Sequence, residues 1–407
     1  MPHTPSTAMP FDAALERMRE VAQACARAPE RVALARAHGG VLAQALVAPI
    51  ALQPFDNSAM DGFALRHADL GTDGASLDLV GEQFAGPDAG LELAAGQCVR
   101  ITTGAPMPRG ADTVAIKERV VVSGGRVQVP LLPAGANVRK AGEDAQPGDH
   151  MLDAGTRLTA AHVSLAAALG IDTLLLAPRP TVAVFSTGDE LVAPGMALQP
   201  GQIYDSNREL LMGLVRAQGL EPTAWPVLPD EPGRMHAMLA DACAAFDVVI
   251  TCGGVSAGER DLLPRWLADN GSVHVWKVAM KPGMPLLFGQ AGRALLLGLP
   301  GNPVSVLATF LALGVPLLDA LQGALPRAPL YARLALALHK PHARREFLRG
   351  SLRSAGDGSL LVIPHSATGS HRLAAAALCD ALIDLPEGPQ TLQPGDAVAV
   401  LPYGSWP

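Results

Sequence analysis

The segment Asp247–Asp261, DVVITCGGVSAGERD, is the most informative about architecture. Its opening residues 247–251 form an apolar, β-branched run that reads as a buried strand. The run breaks into Gly253-Gly254-Val255-Ser256-Ala257-Gly258, and Glu259 and Asp261 close the loop. One such run is ambiguous by itself, because a short buried helix has the same periodicity. The pattern recurs, however. Thr181–Phe185 leads into STGDEL, Thr223–Leu228 into Pro229-Asp230-Glu231, and Leu295–Leu299 into PGNPVS, while Arg208–Gln218 reads as a helix between two of these runs. Strand, polar loop and helix in alternation predict a parallel-rich sheet covered by helices over 179–325. In open α/β sheets ligands bind beyond the carboxyl ends of the strands, so the loop residues are the first place to look for chemistry.

Toward the N-terminus, residues 11–28 predict an amphipathic helix with Leu15, Met18, Val21, Ala22 and Cys25 on one side and Glu16, Arg17, Arg19 and Glu20 on the other. A second helix is expected at about Thr159–Leu169. Between them, short β-prone runs such as Leu77–Val80, Cys98–Ile101, Thr113–Ile116, Val120–Val122 and Arg126–Val129 are separated by turn residues, which predicts an all-β module over 52–141. The helices on either side, in 1–51 and 142–178, are expected to pack together as one discontinuous helical domain. After Ala324-Leu325-Pro326 short strands return, predicting a small β module over 326–407.

Composition narrows the function. The 407 residues exceed what one core usually serves. Apolar residues make up 49% but aromatics only 4%, with Gly 42 and Pro 35, so the cores must be aliphatic and the turns many. A formal charge of -7 without a basic tract disfavours nucleic-acid binding, and any anionic ligand must meet local positive charge. Cys25, Cys98, Cys243, Cys252 and Cys379 are scattered without zinc-like spacing, which suits buried thiols in a reducing cytoplasm. No signal peptide is expected around Asp12, Glu16 and Arg17. The apolar stretch Leu158–Ala177 is broken by His162, Gly170 and Asp172, so no membrane span is expected either.

Carboxylates follow three of the predicted strands: Asp189 and Glu190, Asp230 and Glu231, Glu259 and Asp261. Brought to one sheet edge they would repel and favour a retained cation. Mg²⁺ is the expected ion, since it takes one or two carboxylates plus water and substrate phosphate oxygens. Each acid alone reads equally as a helix cap. Two loops suit an anion: the glycines at 253 and 254 with Ser256, and Pro300-Gly301-Asn302-Pro303-Val304-Ser305, where Asn302 can cap and Pro303 can open a helix. An ordinary strand-to-helix turn explains the second equally well. Lys277 and Lys281, followed by Pro282-Gly283-Met284-Pro285, suit a polyanion or a solvated surface. Arg344, Arg345, Arg349 and Arg353, with Ser370, His371 and Arg372, form a further basic set of mostly surface charges. The segment PFDNSAMDGFA at 54–64 carries Asp56, Asn57, Ser58 and Asp61, which serve a turn as readily as a site. No Gly-x-Ser-x-Gly elbow or Cys-His pair supports nucleophilic hydrolysis.

These motifs together resemble the MoeA family, which includes the C-terminal domain of gephyrin. The matching segments are PFDNSAMDGFA at 54–64, RITTGAPMPRGADTV at 100–114, RKAGEDAQPGD at 139–149, VFSTGDELVAPG at 184–195, IYDSNRELL at 203–211, DVVITCGGVSAGERD at 247–261, VAMKPGMP at 278–285 and GLPGNPVS at 298–305. They stand in family order over most of the chain, and FLRG at 347–350 with TGSHRL at 368–373 extends the match. The resemblance implies four domains: a discontinuous helical one, an inserted β domain, a molybdopterin-binding-type α/β domain and a C-terminal β-barrel-like domain. It implies an elongated homodimer with the cleft shared between subunits, uniting Asp61, Thr103 and Asp144 with the α/β loops. The implied reaction is Mg²⁺-dependent insertion of molybdate into adenylylated molybdopterin with release of AMP.

By motif, Asp61, Thr103, Asp144, Glu190, Asp230, Asp261, Lys277 and Lys281 would be catalytic, with Glu190, Asp230 and Asp261 holding the metal. Gly253, Gly254, Ser256, Pro300, Asn302, Ser305, Arg349 and Ser370 would bind the cofactor substrate. Met284 departs from the family's usual lysine, and Phe63 replaces the common tyrosine. Transient contact with other cofactor-assembly proteins is expected, but no nucleic acid or membrane partner. The alternatives are a molybdopterin adenylyltransferase, against which the β insertion and last module argue, and a gephyrin-like scaffold, which would not need an intact acid set.

Overall fold

The computed structural model describes residues 8–229, 231–255 and 262–404. Its centre is a six-stranded sheet in the order Pro222–Ala224, Val182–Ser186, Val248–Cys252, Ala294–Leu299, Leu287–Ala291, Ser272–Trp276. The first four strands are parallel. Leu287–Ala291 runs against them, and Ser272–Trp276 is antiparallel to it, so five strands point the same way. Ser186, Cys252, Leu299 and Trp276 therefore end at one edge. Val182–Ser186, Val248–Cys252 and Ala294–Leu299 are buried along their whole length, as a sheet covered on both faces requires.

One sheet face packs on the continuous, strongly apolar helix Pro303–Leu321. It is long and apolar enough to cross a membrane, but 94% of it is buried inside the protein, as befits a core helix. A π-helical stretch, Phe310–Gly314, interrupts its regular turns. The opposite sheet face is covered by the helices Pro232–Ala245 and Leu263–Asn270.

The inserted β module is a six-stranded sheet in the order Thr113–Ile116, Gly62–Leu65, Gln97–Ile101, Ala75–Gln83, Arg126–Val129, Val121–Ser123. Gly62 sits where an added Cβ would lie 1.9 Å from the Ala115 carbonyl oxygen, so only glycine permits this pairing. In the last module Arg345–Ser354, Leu360–Pro364, Leu330–Leu334, Ala397–Pro402 and Ala381–Leu385 pair in a ring. Ala381–Leu385 bonds both Ala397–Pro402 and Arg345–Ser354, which closes a five-stranded barrel.

The flanking pieces differ from the expectation of a helical unit. Glu30–Ala33, Thr173–Ala177 and Val41–Leu42 form a small sheet with the helix Ala160–Ala168 on it, and Leu46–Val47 pairs with His150–Leu152. The pieces do come together, mainly through strands. The N-terminal helix Phe11–Ala24 does not join Ala160–Ala168. Its Phe11, Ala14, Met18, Val21 and Ala22 enter the α/β core beside Pro303–Leu321. The physical reason is area: Phe11, Met18 and Val21 each contribute about 1.5–3 kcal/mol when fully buried. Ala160–Ala168 buries only Ala166 and offers no comparable surface.

Candidate active site

At the shared carboxyl edge, Val182–Ser186 delivers Thr187 and Gly188, and Val248–Cys252 delivers Gly253 and Gly254. Thr187 Oγ1 donates to the Cys252 carbonyl at 3.1 Å, tying the two loops. Gly253 has φ +97, and an added Cβ would stand 2.2 Å from Thr187 Oγ1. Glycine is thus required twice over, by conformation and by space. The Gly253 N–H donates to the Leu299 carbonyl, which brings the Pro300 loop alongside.

Pro303 opens the core helix in its first turn, as expected. Asn302 occupies the N-cap position, but its side chain makes no capping bond and is exposed, which departs from the expected cap. Ser305 is buried one turn in. The Val304 N–H donates to the Ser370 carbonyl at 3.1 Å, so the barrel's 367–370 loop abuts this helix start. Arg349 holds that loop. Its buried guanidinium donates to the Gly369 carbonyl at 3.0 Å and to the Ala367 carbonyl, and burial pushes its pKa down.

Lys277 follows Ser272–Trp276 at the same edge, with φ 66, a left-handed conformation uncommon for lysine. Backbone bonds on both sides fix it: Lys277 N–H to the Leu286 carbonyl, and Met9 N–H to the Lys277 carbonyl. Its ammonium lies 5.7 Å from the Trp276 ring centroid, and Trp276 Nε1 donates to the Val255 carbonyl at 3.4 Å. One indole therefore links the lysine to the glycine loop. Lys281 ends the two-residue strand Met280–Lys281, and its Nζ lies 2.8 Å from Glu346 Oε1 in the barrel. Gly283 packs its Cα against the Thr309 methyl, where a Cβ would meet Cγ2 at 2.3 Å.

Glu190 is exposed and folds back over Gly188, whose added Cβ would lie 2.4 Å from Glu190 Oε2. Among the described residues its carboxylate has no ion-pair or hydrogen-bond partner. Asp230, Asp261 and Ser256 lie outside the described residues. Glu231, next to Asp230, takes the N-cap position of Pro232–Ala245. Among the described residues no three His, Cys, Asp or Glu side chains gather as a metal cage.

The β insertion carries a separate acid. Asp61 Oδ1 accepts from the Thr103 N–H at 2.9 Å and from Thr103 Oγ1 at 3.0 Å, and Lys117 Nζ reaches Oδ2 at 3.1 Å. The Thr103 amide, then the Lys117 ammonium and the Thr103 hydroxyl, hold the Asp61 carboxyl at about 2. The rest of 54–64 serves the fold: Asn57 donates to Gln53 and the Phe55 carbonyl, Ser58 Oγ to the Met60 carbonyl, and Asp56 accepts from Lys140 and Ala141. Asp144 is exposed, its backbone N–H pointing to the Leu52 carbonyl at 3.4 Å. Among the described residues no hydrogen bond or ion pair joins Asp61, Thr103 or Asp144 to Glu190, Lys277 or Lys281 of the same chain.

Several residues at the edge carried no role in the sequence reading. Asp205 caps Ser206–Arg216 through the Arg208 N–H and accepts from buried Ser186 Oγ at 2.8 Å. Asn207 Nδ2 donates to the Gly301 carbonyl at 2.7 Å. Arg208 Nε lies 3.2 Å from Asp205 Oδ2. The only signal for them was their place in IYDSNRELL, since an Asp before a helix reads first as a cap.

Known proteins agree with this architecture region by region. The MoeA N-terminal region (domains I and II) matches residues 9–170, the probable molybdopterin binding domain 183–320, and the MoeA C-terminal region (domain IV) 331–403. The chain is 37% identical over 379 residues to a molybdopterin molybdenumtransferase of Haemophilus influenzae, covering 92% of this chain and 94% of that one. It is 38% identical over 387 residues to the enzyme of the same name from a Nostoc species, covering 91% and 88%. The crystal structure of a molybdopterin biosynthesis MoeA protein from Pyrococcus horikoshii superposes with a TM-score of 0.80 at 31% identity, covering 98% of this chain and 100% of that one. With all three regions matched in order and nearly the whole length shared with such relatives, the chain belongs to the MoeA family.

Proposed function

We propose that this protein inserts molybdate into adenylylated molybdopterin and releases AMP, completing a step of molybdenum-cofactor biosynthesis in the cytoplasm. The observation that carries the reading is the meeting at one sheet edge of the Gly253 turn, the Pro300 loop that opens the core helix, and Lys277. Oriented N–H groups and a helix amino end suit phosphate oxygens. Lys277 and Lys281 would offset the oxyanion charge of molybdate and phosphate. Buried Arg349 would act by shaping the Ser370 loop beside Ser305, since two of its donors are committed to carbonyls.

The donor chemistry at Glu190 fits Mg²⁺: an exposed carboxylate offering hard oxygen, without a protein cation bound to it among the described residues. Glu190, Asp230 and Asp261 would hold the ion, which when bound polarises phosphate oxygens. Gly253 lets its turn pack against Thr187 while its N–H holds the Leu299 carbonyl, and Trp276 would orient Lys277.

Asp61, Thr103 and Asp144 would reach this edge from a second copy of the chain in a homodimer with a shared cleft. Among the described residues of one chain Asp61 and Thr103 bond to each other and to Lys117, not to Glu190, Lys277 or Lys281, which supports that reading. The test is incubation with adenylylated molybdopterin, molybdate and Mg²⁺, following AMP. AMP formation that depends on both molybdate and Mg²⁺ is expected, and its absence with folded protein refutes the assignment.

A further inference from the structure

We propose that Glu346 is a positioning residue that sets the Lys281 ammonium for its oxyanion. The proposal rests on the reading of Lys281 just given. Lys281 belongs by sequence to the α/β region but by hydrogen bonding to the barrel. Met280–Lys281 adds to the first residues of Arg345–Ser354 in parallel, Met280 opposite Arg345 and Lys281 opposite Glu346, and the Arg345 N–H donates to the Ala279 carbonyl. On its other flank, Gly283 is wedged against Thr309 of the core helix. The backbone of the lysine is thus fixed between two regions.

Its side chain is not fixed by packing. Lysine carries a compact charge on a flexible four-carbon stem, with about 2 kcal/mol of rotamer entropy. Glu346 removes that freedom. The glutamate side chain is only 7% exposed, and its two oxygens face different partners: Oε1 stands 2.8 Å from Lys281 Nζ and Oε2 stands 3.2 Å from His342 Nε2. Lys281 itself remains 39% exposed, so the ammonium is anchored through one donor while two others remain for an incoming oxyanion. Because the anchor sits on a barrel strand, any shift of the barrel carries the lysine with it. A merely structural ion pair would occupy the same distances, so the test must read anion binding and not stability alone.

Molybdate binding is measured by equilibrium dialysis on the full-length protein, and the molybdate KM and kcat are taken from AMP release. Glu346→Ala should raise the molybdate dissociation constant and KM roughly 10- to 100-fold with a smaller change in kcat, the scale expected for a misplaced binding group. Glu346→Gln keeps an acceptor for Lys281 without the charge assistance that roughly doubles such a bond, so a rise of a few fold is expected. The double variant Glu346→Ala with Lys281→Ala should bind no worse than Lys281→Ala, because Glu346 acts through the lysine. Unchanged molybdate binding in Glu346→Ala, or in Glu346→Gln if the alanine variant does not fold, overturns the proposal while Lys281→Ala still weakens binding. Unchanged binding in Lys281→Ala instead overturns the reading of the lysine.

Discussion

Replacing Gly253 with alanine tests the site at its narrowest point. Two costs add. A side chain at φ +97 is strained by about 1–3 kcal/mol. The new methyl would also begin 2.2 Å from Thr187 Oγ1, so the hydroxyl must turn away and lose its bond to the Cys252 carbonyl, worth about 1 kcal/mol. The sum, about 2–4 kcal/mol, corresponds to a fall in Tm of roughly 5–15 °C for a domain of this size. Thermal unfolding by circular dichroism measures it, and AMP release should drop about 100-fold if the loop shifts by an ångström. Adding Thr187→Ala separates the two costs. Thr187→Ala alone removes the same hydroxyl bond and should cost about 1 kcal/mol, while the double variant should cost no more than Gly253→Ala alone, because that bond is already lost there. A Gly253→Ala protein within about 0.5 kcal/mol of wild type, with full activity, would refute the described loop.

Asp61→Asn should abolish most AMP release while leaving the fold intact, checked by turnover and circular dichroism. Its pKa of about 2 lies below the ordinary 3.8, so the stability its charge contributes is present above about pH 4 and fades as pH falls toward 2. Thermal scans should therefore show wild type losing more stability than Asp61→Asn over that acid range. Mixing Asp61→Ala with Lys281→Ala protein, after dissociation and reassociation, should restore AMP release if the cleft is shared between copies; two inactive parents giving an inactive mixture would argue against it. Arg345→Met should destabilise the junction by about 2–4 kcal/mol in urea unfolding, since Asp384 loses a two-pronged partner at 2.7 and 2.6 Å, Asp12 loses one at 2.9 Å, and the Phe11 ring loses its stacked guanidinium.

What could be read from the sequence was local. The runs at 182–186, 248–252 and 294–299 are mainly apolar and give way to polar, glycine- or proline-bearing turns, so the existence of these strands was visible. The boundaries at Thr113–Ile116 and Arg126–Val129 came out as drawn because turn residues flank them. The partner of Phe11–Ala24 was not visible, because an apolar face states that it needs cover and not which cover. Nothing in the sequence singled out Trp276, whose indole nitrogen and ring serve the Val255 carbonyl and Lys277. Glu346 lies in a strand 65 positions beyond Lys281, and no local pattern pairs them. Asn302 illustrates the opposite case: the residue sits where capping chemistry predicts it, yet its side chain makes no capping bond.

The pairing of Phe11–Ala24 with Pro303–Leu321 has a consequence for biosynthesis on the ribosome. Phe11–Ala24 must wait until residues 303–321 have emerged before its apolar flank is covered. Until then two segments that shun water are loose together in one nascent chain, and the later one is apolar enough to tempt an insertion machine or a chaperone. Deleting residues 11–24 would thus be felt far along the chain, at Pro303–Leu321, as a core element left partly uncovered.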